Sequence, residues 1–194
     1  MENDSCERAK PASFLPPALL LGLLVRIAAL PASGQATSRE YDLKAAFLYN
    51  FATFGEWPAA AFAHEGSPFV IGVLGADPFG AALRDIVAGE RAKGRPIVIR
   101  HFDRAVEARG CHILFISASE TPRHREILAL FRDQPVLTVG DVPGFAEEGG
   151  RVGFVTASRV GIQVNPVALR AGNLAISPKL LRLADLVAVD IPSP

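Results

Sequence analysis

The chain has 194 residues, with 20 basic and 20 acidic side chains and 49% hydrophobic residues. This length suits one folded domain whose core needs no metal or disulfide. The balanced charge argues against a partner bound mainly through phosphates, such as a nucleic acid, because such binding favours a basic excess.

The N-terminus carries the three parts of an export signal. Arg8 and Lys10 precede an apolar run over Phe14–Leu30, and a stretch of small residues follows over 31–36. A basic start, a short apolar centre and a small-residue exit are typical of a secretory signal peptide. We therefore predict that residues 1–36 are a cleaved signal peptide.

Small residues indicate where the signal peptide would be cleaved. Gly34 and Ala36 place small side chains where a signal peptidase inspects them, so we expect cleavage after Ala36 or after Gly34. A retained membrane anchor and a misassigned start are the alternatives. Arg26 disfavours an anchor, because it interrupts the apolar run below the ~20 residues that span a bilayer. Cleavage would leave residues 37–194 as a single exported domain.

An aromatic helix opens that domain. Over residues 40–56, apolar side chains recur at helical spacing, and Trp57-Pro58 follows. Aromatic residues are dense in this stretch: Phe47, Tyr49, Phe51, Phe54 and Trp57. Core packing explains such a stripe. The functional alternative is that Tyr49 and Trp57 line a groove or a partner surface, because aromatic side chains supply much interface energy.

Strands and helices then alternate. Short apolar runs predict strands over 69–74, 96–102, 113–116 and 135–139, as expected for strands covered on both faces. Helices are predicted between them, one starting at Asp77-Pro78 and running to Ala88, and one starting at Thr121-Pro122 and running to Phe131. A short helical or loop crossover is expected over 103–110.

The pattern changes after the fourth strand. A glycine-rich loop covers 140–150, and the runs 152–156 and 160–165 predict a β-hairpin. Helices follow from Pro166 to about Ala171, and from Ser177-Pro178 through Leu186. The sequence therefore predicts an α/β fold, a single-domain sandwich with a mostly parallel central sheet flanked by helices and with a C-terminal β-hairpin.

Residues that could carry chemistry are scattered. Gly72, Gly75 and Gly80 lack the spacing of a dinucleotide-binding loop, and the four histidines, His64, His101, His112 and His124, form no metal-binding pair. His101 and His112 are expected to be packed in strands. The nearest carboxylate cluster is Asp141, Glu147 and Glu148, in the glycine-rich loop. We predict no catalytic residue, no metal and no cofactor.

Five sequence blocks resemble one family, the YfiR-like proteins, and they occur in the order of that family. They are KAAFLYNFATFGEWP at Lys44–Pro58, FVIGVLGADPFG at Phe69–Gly80, CHILFIS at Cys111–Ser117, PVLTVGDVPGFAEEGG at Pro135–Gly150, and ISPKLLRLADLV at Ile176–Val187. From the first block to the last, they span nearly all of residues 40–190.

The resemblance implies a non-enzymatic periplasmic regulator that forms dimers. Such a protein binds the periplasmic sensor portion of an inner-membrane diguanylate cyclase and represses it, and an outer-membrane lipoprotein sequesters the repressor. Envelope conditions would thereby control cyclic-di-GMP synthesis and biofilm formation. Two other hypotheses remain: a small-molecule-binding module that tunes a sensor kinase or transporter, and an envelope hydrolase using Asp141 or Glu147.

The cysteines depart from the family pattern. The resemblance implies a disulfide between a cysteine on the first strand and the cysteine before the HILFI strand. Here Gly72 occupies the first position and Cys111 the second, and Cys6 lies in the predicted signal peptide. We expect Cys111 to be a buried free thiol, the alternative being a bond between two chains.

Overall fold

The computed structural model describes residues 33–157, 159–182 and 184–186, with side chains from residue 38 onwards. The predicted signal peptide lies almost entirely outside these residues. Its two predicted cleavage positions fall in the first residues of the opening helix, α1 (Ser33–Phe54). Within the described residues, no helix is both long and apolar enough to cross a bilayer.

The strands and helices form one mixed α/β unit. The strands are β1 (Gly55–Glu56), β2 (Phe69–Leu74), β3 (Arg91–Ala92), β4 (Arg95–Phe102), β5 (Ile113–Ile116), β6 (Leu137–Gly140), β7 (Val152–Thr156), β8 (Val160–Val164), β9 (Ala175–Ile176) and β10 (Ala184–Leu186). The helices after α1 are α2 (Ala82–Val87), α3 (His124–Phe131), α4 (Pro166–Ala171) and α5 (Pro178–Leu181), and short 3-10 helices cover Ala59–Ala61, Ala105–Gly110 and Ala118–Arg123.

The described strands form one large sheet and one small one. The large sheet has the order β10-β8-β7-β6-β5-β2-β4-β3, and β1 pairs with β9 in a separate two-stranded sheet. The central pairs, from β4 through β2, β5 and β6 to β7, are all parallel. The predicted α/β class with a mostly parallel sheet is therefore confirmed.

Both faces of the large sheet are covered. Along β2, Phe69, Ile71 and Val73 pack into one hydrophobic cluster, whereas Val70 and Leu74 pack into the other. Successive side chains of a strand point to opposite faces, so a strand buried on both sides is apolar throughout. The first cluster includes side chains of α1, α2, α4 and α5, and the second includes those of α3.

The strand order reverses direction at β2. The chain runs from β2 outward to β4 and then returns across β2 to β5, after which β6 and β7 are added on that side. Because such crossovers are right-handed, the reversal moves the connecting helices from one face of the sheet to the other. In sheets of this kind, ligands bind where the strand order reverses, beyond the carboxyl ends of the strands.

Several predicted elements differ from the structure. The helix after β2 begins at Ala82 instead of Pro78, because Asp77 and Pro78 form a turn in which the Asp77 side chain accepts from the Phe79 amide at 2.8 Å. The antiparallel pair β3–β4 was not predicted. The predicted C-terminal helix ends at Leu181, and β10 follows it and pairs in parallel with β8.

The two strands predicted as a hairpin belong to the main sheet. Strands β7 and β8 pair antiparallel, with Val152 opposite Val164. They do not end the chain, since α4, β9, α5 and β10 follow. Parallel pairing with β10 places β8 inside the sheet, so the hairpin is part of the main sheet.

Candidate functional site

Trp57 directly follows β1 and packs against the centre of the sheet. Its indole nitrogen donates to the His112 carbonyl at 3.0 Å. Its ring meets the Phe69 ring edge-on, with 4.8 Å between the centroids. Trp57 is only half-buried, however, and one part of its ring faces a shallow depression of about 490 Å³. This depression, the Trp57 surface, is lined by Glu56, Trp57, Ala59, Phe62, Lys93 and Arg95.

Tyr49 lies on α1 and is also half-buried. Its hydroxyl donates to Glu90 at 2.8 Å, and Glu90 immediately precedes the β3–β4 pair. This hydrogen bond raises the pKa of the Tyr49 hydroxyl. Tyr49 and Trp57 both pack at the margin of the same hydrophobic cluster. The structure therefore places both predicted residues partly in the core, each beside a different part of the β3–β4 edge.

A second depression, the edge groove, lies at the carboxyl ends of β5 and β6. It has a volume of about 420 Å³. Its polar and small lining residues include Glu40, Tyr41 and Lys44 of α1 and Ala118, Asp141 and Glu147 of the loops. The groove lies on the side of the sheet where ligands bind in doubly wound folds.

Asp141 is the centre of the polar contacts in the edge groove. Its Oδ2 accepts from the Tyr41 hydroxyl at 2.8 Å and from Lys44 Nζ at 2.9 Å. Lys44 also contacts Glu40 at 2.6 Å. The side chains of Lys44 and Asp141 are only 3% and 4% exposed, so this ion pair is screened from solvent. Burial, together with Asp141, raises the pKa of Tyr41 well above its usual value.

The three loop carboxylates grouped by the sequence are separated by the fold. Asp141 and Glu147 line the edge groove. Glu148 instead faces α3, where it contacts His124 Nε2 and accepts from Arg125 Nη2 at 2.8 Å. The loop closes around Phe145, since a side chain at Gly140 or Gly150 would lie within 2.6 Å or 2.3 Å of its ring. That close approach accounts for the glycines at positions 140 and 150.

The histidines occupy four different environments. His112 is 3% exposed, as predicted for a packed strand residue. His101 was predicted to be packed, but its side chain is 48% exposed and contacts Asp77 at 3.0 Å. Across the residues that the structure describes, no three His, Cys, Asp or Glu side chains are grouped so as to hold a metal ion.

The sequence singled out Asp141 but missed the residues that surround it. Tyr41 and Lys44 are about a hundred positions away in the chain, and they read as part of an ordinary amphipathic helix. One signal was available: Asp141 directly follows the strand β6, and residues there collect at the carboxyl edge of a parallel sheet.

Comparison with known proteins decides the family. The model of the YfiR/HmsC-like family matches residues 41–185, which is most of the chain. The chain belongs to the YfiR/HmsC-like family. The search of curated proteins gave no match. YfiR-like proteins are periplasmic and regulatory rather than catalytic, and they interact with a membrane sensor protein.

The matched range can be compared with the strands and helices of the structure. It begins at Tyr41, in α1, and ends at Asp185, in β10. The family region therefore contains the Trp57 surface, the eight-stranded sheet except the last residue of β10, and the edge groove except Glu40.

Proposed function

We propose that this protein is a non-enzymatic periplasmic regulator that binds the sensor portion of an inner-membrane diguanylate cyclase and represses it. Binding would favour the inactive state of the cyclase, and release would let the active state dominate. The regulator would act as a homodimer, and an outer-membrane lipoprotein would sequester it. Envelope conditions would then control cyclic-di-GMP levels and biofilm formation. Membership of the YfiR/HmsC-like family carries this proposal.

Export is part of the proposal. Cleavage after Ala36 or Gly34 would shorten α1 but keep Tyr41 and Lys44, which contact the loop after β6. We expect the protein in the periplasmic fraction, with an N-terminus at Thr37 or Gln35. Recovery in the cytoplasm with the N-terminus uncleaved would contradict this step.

The Trp57 surface is the part of the domain that we assign to the partner. Aromatic and arginine side chains are the residue types that supply most binding energy at protein interfaces. Here Trp57 and Phe62 lie beside Arg95, whose guanidinium is 4.1 Å from the centre of the Phe62 ring. The surface is thus a preformed aromatic and cationic patch. Tyr49, which contacts Glu90 at another part of the β3–β4 edge, is a further candidate.

Hydrogen bonds hold Arg95 in place. Its Nη1 donates to the carbonyls of His64 and Ser67, each at 2.9 Å. A side chain fixed in this way loses little conformational entropy when a partner binds. Lys93 at the β3–β4 turn adds a second positive charge, against one negative charge from Glu56. We therefore expect an acidic face on the partner.

The experiment combines a cellular and a binding measurement. Deletion of the gene should raise cyclic-di-GMP, and the wild-type gene should restore the low level. We choose Lys93→Asp, because Lys93 is exposed and has φ +53°, a conformation that Asp tolerates. This variant should fail to restore the low level and should not co-purify a membrane cyclase.

The matched control is Arg109→Asp, an exposed charge reversal on the 3-10 helix over Ala105–Gly110, which packs against the opposite face of the sheet. It should behave as the wild type. Unchanged cyclic-di-GMP after deletion, with no membrane signalling protein co-purified, would overturn the proposed function. Equal loss in both variants would overturn the assignment of the Trp57 surface.

A small-molecule-binding module that tunes a sensor kinase or a transporter is the second candidate. The observation that favours it is the depression beside Trp57, because a half-exposed tryptophan lines it. The chain contains one tryptophan, so its fluorescence reports binding at this place without a label. Quenching by a periplasmic metabolite would support this candidate, and a silent screen would exclude it.

A further inference from the structure

The edge groove contains a buried carboxylate oxygen with nothing to bind. Asp141 Oδ2 accepts two hydrogen bonds, but within the described residues Oδ1 has no partner and is shielded from solvent. An ionised carboxylate offers acceptor sites on both oxygens. Leaving a buried acceptor unsatisfied costs free energy, and the cost is larger for a charged group. Asp141, one of the lining residues, thus keeps an unused acceptor beneath the surface of the groove.

The charge around the groove selects the kind of donor. Among the described lining residues, Glu40, Asp141 and Glu147 are acidic, and Lys44 is the basic one. Lys44 Nζ is already engaged by both Glu40 and Asp141, at 2.6 Å and 2.9 Å. The Tyr41 hydroxyl donates to Asp141. The strongest donors in the groove are therefore in use, while negative charge remains in excess.

The rest of the lining mixes apolar with neutral polar residues. Phe154 and Val155 of β7 and Ala118 and Pro143 of the loops after β5 and β6 are apolar, whereas Thr156 and Gln163 are polar. Apolar surface beside a few fixed polar groups is the usual form of a small-molecule site. A metal ion fits less well, because the described residues contain no group of three ligating side chains that could hold one.

We propose that the edge groove binds a small organic cation, an ammonium or guanidinium compound with an apolar body, whose N–H donates to Asp141 Oδ1 once the carboxylate turns towards the groove. The apolar body would lie along Phe154 and Val155, and Glu147 would attract the positive charge at the rim. Such a ligand would bind at Asp141, the residue of the loop after β6 that already contacts Tyr41 and Lys44 of α1. The site is separate from the Trp57 surface and does not depend on the proposed partner.

The test uses the purified exported protein and three probes of matched shape. Phenethylamine carries the cation, phenethyl alcohol is its neutral analogue and phenylacetate its anionic analogue. Isothermal titration calorimetry should detect phenethylamine binding that is about tenfold tighter than that of the alcohol, because hydrogen bonds to charged groups are the stronger ones. Phenylacetate should not bind.

Variants locate the binding. Asp141→Asn should weaken phenethylamine binding about tenfold. Because Asp141 also holds Tyr41 and Lys44, this variant could lose its fold, so two rim variants accompany it. Glu147→Gln removes an exposed charge, and Ala118→Phe fills the groove, and both should weaken binding. Glu126→Gln, an exposed change on α3, should leave it unchanged.

Two results would overturn the proposal. One is equal affinity for the amine and the alcohol, or no binding of either. The other is binding of phenethylamine that Ala118→Phe and Glu147→Gln leave unchanged, since the amine would then bind elsewhere. Neither result bears on the cyclase, because cyclic-di-GMP levels and co-purification measure that function independently.

Discussion

Gly72 on β2 faces Cys111, which lies just before β5: a side-chain carbon at Gly72 would be 2.7 Å from the Cys111 Sγ. Cys111 is 4% exposed, as predicted, and burial raises the pKa of its thiol to about 12. The thiol is therefore unreactive in the folded domain. The resemblance implies a disulfide between these two positions, and the structure places them side by side although one cysteine is missing.

We predict that Gly72→Cys forms a disulfide with Cys111 under oxidising conditions. The bridge should raise the free energy of unfolding by ~2 kcal/mol, since it closes a long loop in the unfolded chain, although Leu114 and Phe102, each 3.0 Å from the new carbon, must shift slightly. Thiol titration of the denatured protein without residues 1–36, and so without Cys6, should find no free thiol before reduction. Gly161→Cys on β8 is the control and should stay reduced; two free thiols in Gly72→Cys would contradict the prediction.

Arg151 is a buried cross-link between backbone segments. It is 2% exposed, and its Nη2 donates to the carbonyls of Phe131, Arg132 and Gln134, at 3.0, 2.8 and 2.9 Å. Its Nε donates to the Ala168 carbonyl of α4 at 3.0 Å. Burial lowers the pKa of its guanidinium to about 10, so it remains charged at neutral pH.

We predict that Arg151→Lys lowers the free energy of unfolding by about 3 kcal/mol or more. A single ammonium group cannot donate to all of these carbonyls, so several buried carbonyl oxygens would lose their hydrogen bonds. Urea denaturation measures the change. Arg132→Lys, at an exposed position after α3, should alter stability by less than about 0.5 kcal/mol. Similar stability of both variants would show that water replaces the guanidinium.

The sequence predicted best those elements that local patterns determine. The apolar runs gave β2 and β5 with the observed bounds, and Pro166 marked the start of α4. Both signals are local: an unbroken apolar run means burial on two faces, and proline is favoured at the first position of a helix. Asn165, predicted as a strand residue, caps this helix, since its Oδ1 accepts from the Ala168 amide at 2.9 Å.

Long-range pairing explains what the sequence could not predict. Leu186 continues a helical apolar pattern, yet it lies in β10 because β8 offers a free edge for parallel pairing. The turn between β3 and β4 uses Lys93 at φ +53°, a residue that gives no turn signal by type. For the same reason Tyr41 and Lys44 were missed, since only the folded sheet brings them to Asp141.

Glu148 ties the glycine-rich loop to α3. Arg125, and after it His124, lower the pKa of Glu148 to about 2. Hydrogen bonding to the Thr121 carbonyl, with Glu148 as a further cause, raises the pKa of His124. The contribution of Glu148 is present above its unfolded pKa of about 4.5 and is lost as the pH falls through about 2. That of His124 is present below its unfolded pKa and is lost as the pH rises through the folded one.

We predict that Glu148→Gln destabilises the domain at pH 5, where both contributions are present, and that the deficit shrinks as the pH falls towards about 2. Urea denaturation of the variant and the wild type at a series of pH values measures it. The neighbouring Glu147→Gln should follow the wild type throughout. A deficit that is the same at pH 5 and pH 2 would mean that the charge of Glu148 is not the cause.

His112 lies in an aromatic stack in the middle of the domain. Its ring is 4.4 Å from that of Phe62 and 4.7 Å from that of Phe69. Its Nδ1 accepts from the Val70 amide at 3.0 Å, so the neutral ring carries its hydrogen on Nε2. Burial, with a smaller effect of Arg95, lowers the pKa of His112 to about 4.

We predict that His112 makes the domain less stable as the pH falls from 6.5 to about 4. In this window the His112 ring is protonated in the unfolded chain but neutral in the folded domain, so the free energy of unfolding decreases as the pH falls. Above pH 6.5 the ring is neutral in both states. His112→Asn keeps an acceptor for the Val70 amide but does not titrate, so its stability should decline less steeply over this window. His64→Asn, at an exposed position, should keep the wild-type slope. Equal slopes for wild type and His112→Asn would show that folding does not lower the pKa of His112.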